Sequence, residues 1–227
     1  MSTSILQKHR ELLAATDLLS NNRNRVLVCL CIDTSRSMML NGRMDRVNNG
    51  VRKFIQDSQN NVYAAGAIDL CIVTFGGQAA SIHQPFTTVK KIEYHDLTPD
   101  GGTPLGAAVE MALDAIHDNQ QRYQSVGISC YKPWLIIMSD GVSDDDVSSA
   151  AERVQELLRA RKLKVKCIDM SSHKEDSDLK RFTLDGSVET ISGLEIEDFF
   201  DMLSRSAAGL STEVPGEDEN TSIEMRR

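Results

Sequence analysis

The 227-residue chain carries 33 acidic against 25 basic side chains, for a net charge of −8 and a pI near 5.1. That length fits one large α/β domain with short appendages. The acidic balance argues against non-specific nucleic-acid binding, which needs a basic surface. No apolar run reaches transmembrane length and no N-terminal stretch has the form of a signal peptide, so the sequence reads as cytoplasmic, with neither membrane nor nucleic acid as partner.

Residues 4–20 predict a helix with Ile5, Leu6, Leu12, Leu13 and Leu18 as its apolar positions, and Asn21-Asn22-Arg23-Asn24-Arg25 breaks that pattern. Val26-Leu27-Val28-Cys29-Leu30-Cys31-Ile32 is continuously apolar rather than alternating, the mark of a strand covered on both faces. Residues 44–58 predict a helix carrying Val47, Val51, Phe54 and Ile55 on one side. A second buried strand spans 68–75, Gly76-Gly77 ends it, and 79–85 reads as an edge strand returning beside it. Asp100-Gly101-Gly102-Thr103-Pro104-Leu105-Gly106 opens a helix to about Gln120, with Thr103 expected as N-cap and Pro104 as the first helical residue.

A third buried strand over 134–138 ends in Ser139-Asp140-Gly141, and 148–159 is helical. A strand over 165–170, a short helix over 179–184, a short strand over 188–191 and a last helix over 197–207 follow. Alternating strands and helices with one hairpin-like return predict a doubly wound, mostly parallel sheet with one antiparallel edge strand, helices lying on both faces. The organisation expected is an N-terminal helical segment and linker over 1–24, one domain over 25–210, and an acidic disordered tail over 211–227.

Cys29, Cys31, Cys71 and Cys167 lie inside apolar runs and Cys130 just before one. No close-spaced partner set completes a zinc site, so all five read as free thiols in a reducing compartment.

Ligands on open α/β sheets bind beyond the carboxyl ends of the strands, where strand order reverses. Three oxygen-rich loops point to that edge: one with Asp33, Ser35 and Ser37, one with Thr103, one with Asp140. All five side chains offer oxygen, which suits Mg²⁺, with Mn²⁺ or Ca²⁺ as alternatives. With only two carboxylates among them, much of the ion's charge stays available to an outside anionic oxygen. A metal-dependent phosphoryl-transfer or hydrolytic enzyme is the alternative. Against it, Asp33 is followed by Ser35 rather than a second carboxylate, and the chain has neither a phosphate-binding Gly-rich loop ending in Lys-Ser/Thr nor a Gly-x-Ser-x-Gly elbow. Asp144-Asp145-Asp146 reads as a negative cluster at a helix start rather than a second metal site, and His173 as a solvated loop histidine.

Asp33-Thr34-Ser35-Arg36-Ser37-Met38, Gly102-Thr103-Pro104-Leu105-Gly106 and Met138-Ser139-Asp140-Gly141 together resemble the metal-ion-dependent adhesion site of von Willebrand factor type A domains. The resemblance runs over about residues 25–210. It implies that Asp33, Ser35 and Ser37 gather the metal, that Thr103 joins or leaves the shell, that Asp140 acts through water, and that an acidic side chain of a partner protein completes the coordination. It implies a protein-binding module rather than an enzyme. Between the two serines the family often has glycine, and Arg36 stands there, expected at the rim of the site. Tyr131-Lys132-Pro133-Trp134, with Gly101-Gly102-Thr103-Pro104-Leu105-Gly106, is similar to the small stand-alone members of bacterial tellurium-resistance and stress-response systems. That similarity implies an intracellular adaptor linked to a kinase and phosphatase.

Overall fold

The computed structural model describes residues 23–140, 142–171, 177–190 and 195–210. The helix expected over 4–20, the tail over 211–227, Gly141 and His173 lie outside the described residues. Six strands form one sheet: β1 (Val26–Asp33), β2 (Ile68–Gly76), β3 (Ala79–Thr88), β4 (Trp134–Ser139), β5 (Lys164–Asp169) and β6 (Glu189–Thr190). The helices are α1 (Arg43–Asn60), the single turn α2 (Ala64–Ala67), α3 (Leu105–Ser125), α4 (Ser148–Arg159) and α5 (Glu195–Leu210). The segment expected as a short helix over 179–184 is a 3-10 turn, Asp178–Phe182.

Spatial order is β3-β2-β1-β4-β5-β6. All neighbours are parallel except β2 and β3, which pair antiparallel, with register shifts around Ile72. This is the doubly wound, mostly parallel sheet with one antiparallel edge strand that the alternation of elements predicts. Pro85 falls in β3, where an edge strand tolerates the missing N–H.

The continuous apolar run of β1 is explained by its two covered faces. Val26, Val28, Leu30 and Ile32 join Val47, Val51 and Phe54 of α1 and Phe199, Phe200 and Leu203 of α5 in one core. Cys29 and Cys31 point the other way, into a second core with Val109 and Ala112 of α3 and Val154 of α4. Every residue of β1 is buried. The cysteines are free thiols, Cys130 half-buried and the other four buried.

The chain winds outward from β1 in both directions, so strand order reverses between β1 and β4. The carboxyl ends of these two neighbours, paired as far as Ile32 and Met138, open at one edge of the sheet. At the other end of the sheet, Arg25 and Asp69 form a buried ion pair, and the Tyr123 hydroxyl donates to the same carboxylate. No helix among the described residues is long and apolar enough to cross a membrane.

Candidate metal centre

β1 delivers Asp33 to the sheet edge with no exposed surface. Its Oδ1 accepts the Ser35 amide at 2.7 Å, the Asx-type turn that bends the chain out of the strand. Its Oδ2 accepts the Ser139 hydroxyl at 2.6 Å from the end of β4. The carboxylate is thereby pinned across the strand pair where the order reverses. Burial pushes its pKa above the usual carboxylate range; the Ser139 and Ser35 hydrogen bonds oppose the shift, and the charge of Asp140 adds to it.

A line of hydroxyls continues from Asp33 to Asp140. Ser35 Oγ and Ser37 Oγ are 2.9 Å apart, and Ser37 Oγ donates to Asp140 Oδ1 at 2.6 Å. A hydroxyl has one proton. Since Ser37 gives its proton to Asp140, it must accept from Ser35. The protons then run toward Asp140, and lone pairs on both serines are left over. Asp140 Oδ2 is held by Arg43 Nη1 in an ion pair whose side chains are 14% and 1% exposed. Arg43 opens α1, immediately after the left-handed Asn41 and Gly42.

The Thr103 loop is fastened beside this line through its backbone. The Asp100 amide donates to Thr34 O at 2.6 Å, and the Arg36 amide to Gly101 O at 3.0 Å. Gly101 and Gly77 lie back to back, both with positive φ, and a Cβ on Gly101 would fall 2.2 Å from Gly77 Cα. Only glycine permits that approach.

Thr103 is not the N-cap of the following helix. α3 begins at Leu105, Pro104 takes the cap position with ψ 70°, and no side chain of the cap residue bonds the helix. The cap comes from another loop: Asp145 accepts the Gly106 amide at 2.9 Å on Oδ1 and the Ala107 amide at 2.8 Å on Oδ2. Asp144 accepts the Thr103 amide at 2.6 Å. Asp146 serves its own helix, accepting the Ser148 amide at 2.9 Å. The acidic run thus caps two helices and fixes the Thr103 loop. Relieved of capping, the Thr103 hydroxyl makes no hydrogen bond among the described residues.

Of the five residues singled out by sequence, Asp33, Ser35, Ser37 and Asp140 fall at one edge. Asp33 meets Ser35 and Ser139, and Ser35, Ser37 and Asp140 form a continuous bonded line. Thr103 stands on the adjoining loop. Arg36 is exposed, with no positive φ, so the position imposes no glycine requirement on the backbone. The donor set is all oxygen and fits a hard divalent cation. Among the described residues no group of three or more His, Cys, Asp or Glu side chains is placed to hold a metal.

Sequence reasoning missed Arg43 and Ser139. Arg43 had a signal: a cation in the first turn of a helix opposes the macrodipole, so an arginine there implies a specific acidic neighbour. Ser139 had none beyond its place beside Asp140.

The family model of the von Willebrand factor type A domain matches residues 28–143, just over half of the sequence and inclusive of all three loops. The chain belongs to the von Willebrand factor type A domain family. No curated protein matches it in sequence. Among solved structures it is similar to the vWF domain of the type V pili tip protein Mfa5 from Porphyromonas gingivalis, at 12% identity and TM-score 0.58, covering 87% of this chain and 99% of that one. It is similar to proximal thread matrix protein 1 from the mussel byssus, a structure with a zinc-occupied MIDAS motif, at 14% identity and TM-score 0.58, covering 83% of this chain and 47% of that one. It is also similar to the manganese-loaded TRAP protein of Plasmodium vivax, at 17% identity and TM-score 0.50, covering 78% and 72% respectively. At such identities these type A domain neighbours speak for the fold.

Proposed function

We propose that this type A domain is a metal-dependent protein-interaction module, in which Asp33, Ser35, Ser37, Thr103 and Asp140 hold a Mg²⁺-type cation and a partner protein's carboxylate completes its coordination. The observation that carries the reading is the bonded line Ser35–Ser37–Asp140 beside the buried Asp33, with lone pairs left on both serines. The ion, when bound, supplies a Lewis-acidic position for a further oxygen: the two carboxylates match its charge, and five side chains leave room in a shell of six or more. Asp33 and Asp140 provide the negative charge, while Ser35, Ser37 and Thr103 orient without neutralising further. Zinc in the mussel protein and manganese in the Plasmodium protein support a divalent ion; Mg²⁺ is our choice for an all-oxygen set.

The cellular setting we propose is an intracellular adaptor in a bacterial stress-response or tellurium-resistance system, acting beside a kinase and phosphatase. It rests on the likeness of the Tyr131-Lys132-Pro133-Trp134 and Gly101-Gly102-Thr103-Pro104 stretches alone. In the fold, Tyr131 and Trp134 are buried.

The test is an affinity capture with wild type and Asp33→Ala, each in Mg²⁺ and in excess chelator, alongside a direct metal titration. Asp33→Ala is expected to lose metal and partner together while keeping its circular-dichroism spectrum. A partner retained equally in chelator and on Asp33→Ala sinks the metal bridge and moves binding to another face. Metal-dependent turnover of phosphate esters by pure protein, lost in Ser35→Ala, replaces the module with an enzyme.

A further inference from the structure

The ion pair between Arg43 and Asp140 has a consequence for how the site takes up metal. Asp140 is engaged on both oxygens, by the Ser37 hydroxyl at 2.6 Å and by the Arg43 guanidinium. Its side chain is 1% exposed, so the two positive partners it can have, Arg43 and a metal ion, draw on one buried carboxylate. Arg43 also sits where the helix macrodipole works against it, at the first residue of α1, with no acidic residue in that turn except Asp45. What holds it there is Asp140.

We infer that Arg43 is the internal competitor of the metal: its guanidinium sets the affinity of the site by claiming Asp140, and metal loading requires it to let go. The inference rests on the metal reading of the site proposed above. Two opposite effects follow from one ion pair. Removing Arg43 strips a buried carboxylate of its counter-ion, which weakens the protein in chelator. The same removal lifts the competition, which tightens metal binding. A purely structural arginine would produce the first effect without the second. Arg43 and the metal would then be coupled with a strength typical of linked sites, between about 5- and 150-fold in affinity.

The experiment uses the full chain, stripped with chelator and titrated with Mn²⁺, the free ion being read by electron paramagnetic resonance. Arg43→Gln is expected to bind Mn²⁺ about tenfold more tightly than wild type. Its thermal midpoint is expected to fall in chelator and to rise more on adding Mn²⁺ than the wild-type midpoint does. Arg46→Gln removes the same charge from the next turn of α1 and serves as the control for simple charge repulsion; it is expected to stay within about twofold of wild type. Arg43→Lys, which keeps the charge but loses the planar fork, carries the test if Arg43→Gln does not fold without metal, with a gain of about threefold expected. Unchanged or weaker binding in the folded Arg43 variant overturns the competition, as does an equal gain in Arg46→Gln. Wild type that binds Mn²⁺ no better than Asp33→Ala overturns the metal reading itself and this inference with it.

Discussion

At the scale of single residues, capping and ligation are separable. The Asp145 carboxylate takes two amide protons at the start of α3, Gly106 at 2.9 Å and Ala107 at 2.8 Å. Asp145→Ala leaves both amides without their partner and is expected to cost about 1–2 kcal/mol in urea unfolding, whereas Asp145→Asn, which keeps one acceptor, loses less. Thr103 predicts the opposite pattern. Its hydroxyl caps nothing, so Thr103→Val is expected to change stability by under about 0.5 kcal/mol while weakening metal affinity in the same Mn²⁺ titration. A stability loss in Thr103→Val matching that of Asp145→Ala would return Thr103 to the role of cap. The sequence could not make this distinction, because the true cap comes from 38 residues further along the chain.

At the scale of elements, the fold shows why some contacts were legible and others were not. The helix over 148–159 and the buried strands lie where periodicity puts them, since most of their apolar positions face one of two cores on either side of the sheet, with Leu27 of β1 in a small third cluster beside Tyr123 and Ile128. Gly50, by contrast, looks like an unremarkable helical glycine in the sequence. It lies where α1 crosses α5, and a Cβ there would fall 2.2 Å from the Phe200 ring. Gly50→Ala gains up to about 1 kcal/mol of helix propensity but must displace a fully buried ring, at a cost of about 1–3 kcal/mol. The clash should win, and a second change, Phe200→Leu, should recover part of the loss. Urea midpoints of the two single variants and the double variant measure that coupling. Gly76-Gly77 was legible as a strand end and Gly101-Gly102 as part of a helix-opening stretch, while the contact of Gly77 with Gly101 was not.

At the scale of the whole molecule, metal binding and ionisation should both register in global stability. A ligand that binds only the folded state raises its midpoint by mass action. Mg²⁺ is therefore expected to raise the thermal midpoint of wild type and to leave Asp33→Ala unmoved, as scanning calorimetry with and without chelator would show. The buried thiols act at alkaline pH. Burial pushes the Cys167 thiol up to about 12, well above the ordinary thiol range. A raised folded value means the thiol's contribution is complete below the unfolded pKa and is lost as pH rises toward the folded one. Wild type should lose roughly 1.5–2 kcal/mol more than Cys167→Ala between pH 7 and pH 10, read as the change in urea midpoint. The amino-acid sequence by itself determined the layered α/β architecture, because strands covered on both faces and amphipathic helices follow from local periodicity. It also marked Asp33, Ser35, Ser37, Thr103 and Asp140 as oxygen donors, because side-chain chemistry is a local property. Only the tertiary structure decided that Asp145 caps α3, that Gly77 and Gly101 clamp the Thr103 loop, and that Arg43 claims Asp140. Those three depend on distances between segments far apart in the chain: β2 beside β1 brings Gly77 to the Thr103 loop, and β4 beside β1 brings the loop of Asp140 and Asp145 to the same edge.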